Sequence, residues 1–170
     1  MASGRSVRAG LSIRPVRIAL DTNILAYAEG VQHGQADAPK VAASRGLLES
    51  MLQDLACTAV APAPTLAELY HVLTRKAGRS PEQARAAIER IMDTIEVAPV
   101  AAPVLRAALE LAAKHHLQIF DAVIIAASAA AGCEVLISED LQDGSHPCAV
   151  TVTNPFGANP HPVIGALRRS

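Results

Sequence analysis

Val16-Arg17-Ile18-Ala19-Leu20-Asp21-Thr22-Asn23 is a short apolar run containing β-branched residues that ends abruptly on an aspartate. It reads as a buried strand with a carboxylate at its exit. Downstream, Val41, Leu47, Leu48, Met51, Leu52 and Leu55 recur at helical spacing from Pro39 to Leu55, and Cys57 to Ala61 follows as a second strand. Pro64 suits a first helical turn, Leu66, Leu69, Val72 and Leu73 give that helix an apolar face through Lys76, and Gly78 ends it. In Ser80-Pro81-Glu82-Gln83 the serine is placed to cap a helix, with Pro81 first and Gln83 closing a capping box. That helix is expected to reach about residue 93.

Further on, Ile95 to Val97 predicts a third strand, Pro103 to His115 a helix, and Asp121 to Ala131 another that Gly132 terminates. Glu134 to Ile137 and Val150 to Val152 supply the fourth and fifth strands. Strands separated by helices need crossovers, which favours a parallel sheet covered on both faces. The expectation is an α/β chain with three layers, α/β/α, around a central parallel sheet of four to five strands. Residues 1–15 read as a flexible basic lead-in and 16–156 as the domain. Residues 157–170 read as a C-terminal tail too rich in Pro and Gly for an ordered core element.

The 170 residues suffice for one domain with a full core, and 51% hydrophobic against 18% charged residues excludes a disordered chain. Aromatic residues are 2% with no Trp, so binding that relies on a platform of stacked rings is poorly supplied. A formal charge of -1 gives no overall field for polyanions, leaving phosphate contacts to local cations or metal ions. Cys57, Cys133 and Cys148 form no Cys-x-x-Cys pair and suggest neither a disulfide framework nor a thiolate zinc site. No signal-peptide block precedes the first strand, and apolar stretches such as Ala122 to Cys133 fall short of the ~20 residues that span a bilayer. A cytoplasmic protein without a membrane partner is expected.

In a parallel sheet, ligands bind beyond the C-terminal strand ends. Asp21 leaves the first strand, Glu68 is expected about one turn into the helix after the second, Asp121 starts a helix, and Asp140 lies just past the fourth strand. Alone, Asp21 and Asp121 are better explained as helix caps, and Asp140 as a turn residue. Glu68 lies beside Leu66, Leu69 and Val72, near an apolar face where an unpaired carboxylate is costly. Together at one edge, the four acids repel one another unless protonated or neutralised by hard divalent cations such as Mg²⁺ or Mn²⁺. Acids holding one or two such ions can activate water and stabilise the leaving oxygen of a phosphodiester.

With these residues in view, the chain resembles the PIN-domain ribonucleases and, among them, the VapC-type toxins of toxin–antitoxin modules. The resemblance runs from about Val16 to Phe156 and rests on Leu20-Asp21-Thr22-Asn23-Ile24-Leu25, Leu66-Ala67-Glu68-Leu69, Phe120-Asp121-Ala122 and Leu136-Ile137-Ser138-Glu139-Asp140-Leu141. It implies a catalytic and metal-binding quartet at Asp21, Glu68, Asp121 and Asp140, with Asn23 supporting the site through its amide. Ser138 stands where many members have Thr and keeps the hydroxyl. The serine common before the second acid is missing from Ala61-Pro62-Ala63-Pro64-Thr65, where Thr65 is the candidate substitute. The resemblance further implies Mg²⁺- or Mn²⁺-dependent cleavage of RNA, a homodimer, and inhibition by a cognate antitoxin protein.

Other signals carry less. Arg75, Lys76 and Arg79 are candidate RNA contacts, although cations at a helix C-terminus are also favoured by its dipole. Asp143 is a candidate for reaching the metals through water, but Asp143-Gly144 is equally a turn signal. His71, His115 and His116 lack zinc-ligand spacing and read as solvated or packed. A haloacid-dehalogenase-like phosphatase would need an aspartate where Asn23 stands, and no phosphate-binding Gly-rich loop is present. The remaining alternatives are a housekeeping RNA-processing nuclease and a non-catalytic binding module of the same fold.

Overall fold

Leu20, the last residue of β1 (Val16–Leu20), pairs in parallel register with Ile137, the last of β4 (Val135–Ile137). On its other side β1 pairs with β2 (Cys57–Pro62), which pairs with β3 (Glu96–Ala98), while β5 (Thr151–Thr153) borders β4. The five strands are all parallel in the order β3-β2-β1-β4-β5. The computed structural model describes residues 15–32 and 34–168. Apart from Pro15, the basic lead-in therefore lies outside the described residues.

Side chains alternate across each strand and so divide the core in two. Ile18, Leu20, Ala61 and Ile137 face α1 (Thr22–Ala28), α2 (Ala38–Gln53), α3 (Ala63–Arg75) and α4 (Pro81–Thr94). Ala19, Val60, Leu136 and Val152 face the opposite layer, where α5 (Ala102–His115) packs on α6 (Ile119–Ala130). This is the three-layer α/β/α arrangement expected from the strand–helix alternation. The capping box on α4 is present: Ser80 Oγ accepts from Gln83 N–H, and Gln83 Oε1 accepts from Ser80 N–H.

The helix α1 follows β1 directly with Asp21 at its N-cap, in keeping with the capping reading of Asp21. Two local features differ from the sequence expectation. First, α6 begins at Ile119, two residues before Asp121, after Gln118 at an N-cap without a side-chain bond. Second, α7 (Pro162–Leu167) gives the C-terminal segment an ordered core element. Its Ile164 and Leu167 are buried with the α1–α4 layer. Pro162 opens this helix rather than breaking it, and burial of two large aliphatic side chains outweighs the poor intrinsic propensity of a short Gly-containing segment. No helix among the described residues is long and apolar enough to cross a membrane.

Candidate active site

Because β1 and β4 end in register, Asp21 and Ser138 leave the sheet side by side. Asp21 N–H donates to Ile137 O at 3.0 Å, and Ser138 N–H donates to Thr153 O at 3.0 Å, so the ladder fixes both exits. Asp21 caps α1, with Oδ1 accepting from Thr22 N–H at 2.7 Å. Its Oδ2 accepts from Ser138 Oγ at 2.6 Å and from Asn23 Nδ2 at 3.2 Å. One buried carboxylate thus caps α1 and bonds to Ser138 and Asn23.

Asn23 is oriented by complementary polarity. Its Oδ1 accepts from Glu139 N–H at 3.2 Å, which turns Nδ2 toward Asp21 and toward Asp140 Oδ2, 3.1 Å away. Ser138 Oγ also accepts from the backbone N–H groups of Asp140 and Leu141, each at 3.2 Å, which holds the turn after β4.

Glu68 lies just past the first turn of α3 and is exposed rather than set against the apolar face. Its Oε2 accepts from Thr22 Oγ1 at 2.7 Å, tying α3 to α1. Thr65, the candidate substitute for the missing serine, has its hydroxyl buried without a hydrogen-bond partner. Asp121, inside the first turn of α6, makes no capping bond.

Asp21, Glu68, Asp121 and Asp140 all line one cleft of about 490 Å³. Burial pushes the Asp21 carboxyl above its ordinary range; the bonds from Ser138 and Thr22 oppose the shift, and the charges of Glu68 and Asp140 add to it. Asp121 is raised too, first by burial and then by Glu68 and Asp140. The four acids therefore share one electrostatic site. It is an arrangement that stores like-charge repulsion until a cation or proton enters.

Among the described residues, no three acidic or imidazole side chains form a ready-made metal cage. Mg²⁺ does not require one, because it retains waters and is held by one or two carboxylates. Asp21 accepts three hydrogen bonds, leaving about one of its roughly four lone-pair directions for a cation. The hard-oxygen donor set fits a hydrated divalent ion.

The other candidates separate clearly. Glu139 turns away from the cleft's acids and bonds to Lys40 and to Tyr27 Oη, the latter at 2.7 Å. Burial and this carboxylate push the Tyr27 hydroxyl up to about 12. Asp143 Oδ1 accepts from Asn154 N–H at 2.9 Å, and Gly144 adopts φ 73°, so this pair forms a turn outside the cleft lining. Arg79 is held by Glu29, with a 2.6 Å ion pair and a further bond to its carbonyl. Lys76 lines a second cleft of about 200 Å³ shared with Asn23, Glu68 and Asp140, whereas Arg75 lines neither cleft. Thr22, His71, Gln118 and Phe120 line the principal cleft without having been singled out as site residues. Thr22, directly after Asp21, and Phe120, directly before Asp121, both lie inside the motifs that carry the resemblance, whereas His71 and Gln118 had no such signal.

Solved structures similar to this chain share its fold. VapBC2 from Rickettsia felis, bound to a promoter DNA fragment, has TM-score 0.59 and 16% identity, over 82% of this chain and all of that one. The Mycobacterium tuberculosis toxin VapC20, which cleaves the sarcin-ricin loop, has TM-score 0.55 and 21% identity, over 70% and 86%. VapBC from Salmonella typhimurium, bound to DNA, has TM-score 0.57 and 15% identity, over 81% and 96%. Comparison with curated protein sequences gives no match. The PIN domain family model, however, matches residues 18–142, well over half of the sequence and the whole span carrying the four acids, and the chain belongs to that family.

Proposed function

We propose that this protein is a metal-dependent endoribonuclease, the toxin of a toxin–antitoxin pair. The observation that carries the reading is the convergence of Asp21, Glu68, Asp121 and Asp140 on one cleft, with two of these carboxyls pushed up by burial and mutual charge. Membership of the PIN family and likeness in fold to VapC proteins support it. The likeness to toxin–antitoxin complexes supports an antitoxin protein partner, and the proposal includes a homodimer and a cytoplasmic setting.

Bound Mg²⁺ or Mn²⁺ would supply water activation and neutralisation of phosphate charge. The chain's own residues prepare for this. Ser138 and Asn23 fix Asp21, Thr22 fixes Glu68, and Asn23 links Asp21 to Asp140. Such prior orientation means the carboxylates need little rearrangement when substrate arrives.

The test is expression of wild type and Asp21→Asn, followed by sequencing of cellular RNA ends. Expected are new ends with 5′-phosphate and 3′-hydroxyl groups that require wild type, and purified activity that excess EDTA abolishes. Cleavage persisting in EDTA, or 2′,3′-cyclic phosphate ends, overturns the mechanism. Cleavage without growth inhibition instead identifies an RNA-processing nuclease, and no cleavage leaves a binding module.

A further inference from the structure

Phe120 is 74% exposed, yet it lines the same cleft as the four acids. A solvent-exposed phenyl ring forgoes the burial that usually holds Phe in a core. The other phenylalanine, Phe156, is partly buried and packs edge-on against Tyr27. Phe120 precedes Asp121 on the first turn of α6 and shares a helical face with Ile124, whose buried side chain lies one turn deeper in the cleft. Opposite, Pro64, Ala67 and His71 recur at helical spacing along α3, on the stripe that also carries Glu68. The lining therefore joins the four carboxylates to a slot of phenyl and small apolar side chains.

Resting on the nuclease reading, we propose that this slot is a base-binding subsite: Phe120 stacks on an unpaired nucleobase beside the phosphate that a divalent cation on the acids would hold. A nucleotide presents an anionic phosphate, which a divalent cation on the acids would neutralise, joined to a flat apolar face, and the lining offers groups for both parts. A cleft of about 490 Å³ lies within the range of small-ligand sites. Every base has a π face, so one ring recognises single-stranded RNA without requiring a sequence. His71 and Gln118 place imidazole and amide groups on the lining, where base edges can be read. The low aromatic content rules out a platform of several rings; one ring at the reacting phosphate is a different device.

The probe is a pool of single-stranded RNA 12-mers of random sequence, cleaved by wild type, Phe120→Ala, Phe120→Leu and Phe120→Trp. Because the ring is exposed, all four proteins should unfold at similar temperatures. Loss of the ring should raise KM about fivefold or more with little change in kcat. Trp should restore KM, and Leu, apolar but not aromatic, should not. An abasic residue next to the cut should weaken wild type as much as Phe120→Ala weakens cleavage of intact RNA, with no added loss when the two are combined. Equal KM for wild type and Phe120→Ala overturns the proposal, as does Leu rescuing as well as Trp. Unchanged RNA kinetics with a lost dimer or lost antitoxin binding assigns the ring to a protein interface and also overturns it. If wild type cleaves while Asp21→Asn does not, failure at Phe120 leaves the nuclease reading intact; if wild type cleaves nothing, both fall.

Discussion

Ser138 Oγ donates to Asp21 Oδ2 at 2.6 Å across the junction of two strands that end in register, and both residues are buried. The same oxygen accepts from two backbone N–H groups of the following turn. One hydroxyl thus joins the first acid to the segment that presents the fourth.

Ser138→Ala removes the donor to a buried carboxylate and orphans the two N–H groups of the turn. The expected cost is about 1–3 kcal/mol of stability, read by urea denaturation in EDTA. Activity should fall by roughly 10- to 100-fold, as for groups that orient metal-binding side chains. Full activity in Ser138→Ala would show that Thr22 and Asn23 suffice to hold Asp21.

The raised carboxyls of Asp21 and Asp121 predict a pH dependence of stability without metal. Between the ordinary carboxylate value, about 3.9, and the raised folded values, the folded chain keeps protons that the unfolded chain has lost. Stability is therefore fullest below this window and declines as pH climbs through it. Asp140→Asn removes a charge that raises both groups, so its melting temperature in EDTA at neutral pH should match or exceed that of wild type. Added Mg²⁺ should raise the melting temperature of wild type more than that of the variant. A metal-free variant that melts well below wild type would contradict the shared electrostatic site.

Arg79 and Lys76 should differ although they are three positions apart. Arg79→Ala breaks a partly buried pair with Glu29 and should cost about 0.2–1 kcal/mol while leaving cleavage unchanged. Lys76→Ala, at the second cleft, should raise KM at low salt and flatten the salt dependence of cleavage. Initial rates across a salt series distinguish them, and the reverse pattern would move the RNA path to Arg79.

The legible parts of this fold are those written locally. Ser80, Pro81 and Gln83 announced α4 because a capping box is a contact within four residues. The acids were legible because parallel strands deliver their exits to one edge, a rule that needs only the order of elements. What stayed hidden depended on partners distant in sequence. Nothing near Glu68 reveals Thr22 as its donor, since the register of β1 and β2 brings α1 beside α3. Gln118 gave no helix-start signal because α6 has no side-chain cap, so Asp121 was read as the start of a helix it enters two residues later. Ile164 and Leu167 looked like tail residues until the surface that buries them was known. Phe120 stands in a quoted motif, but its neighbours in sequence do not reveal that its ring is left exposed on the cleft.

Three acids crowd the end of β4, and the structure gives each a different environment. Asp140 lines both clefts at the site, with Oδ2 accepting from Asn23. Glu139 is committed to Tyr27 and Lys40, whose ammonium also lies 5.4 Å from the Tyr27 ring centre and 5.8 Å from that of Phe156. Asp143 accepts from the backbone N–H of Asn154 and so ties the turn before β5 to the residue that follows the strand. Asp140→Asn should therefore remove most cleavage and weaken Mg²⁺ or Mn²⁺ binding without unfolding the protein. Glu139→Gln should keep near-wild-type cleavage, because Asn23 is oriented by the Glu139 backbone N–H and not by its carboxylate. Its cost should appear in stability, at about 1 kcal/mol, as a charge-assisted bond becomes a neutral one. Asp143→Asn should likewise act on stability alone. Metal titration by calorimetry, paired with initial cleavage rates, separates the three. An inactive Asp143→Asn beside a normally active Asp140→Asn would transfer the fourth acid's role to the turn.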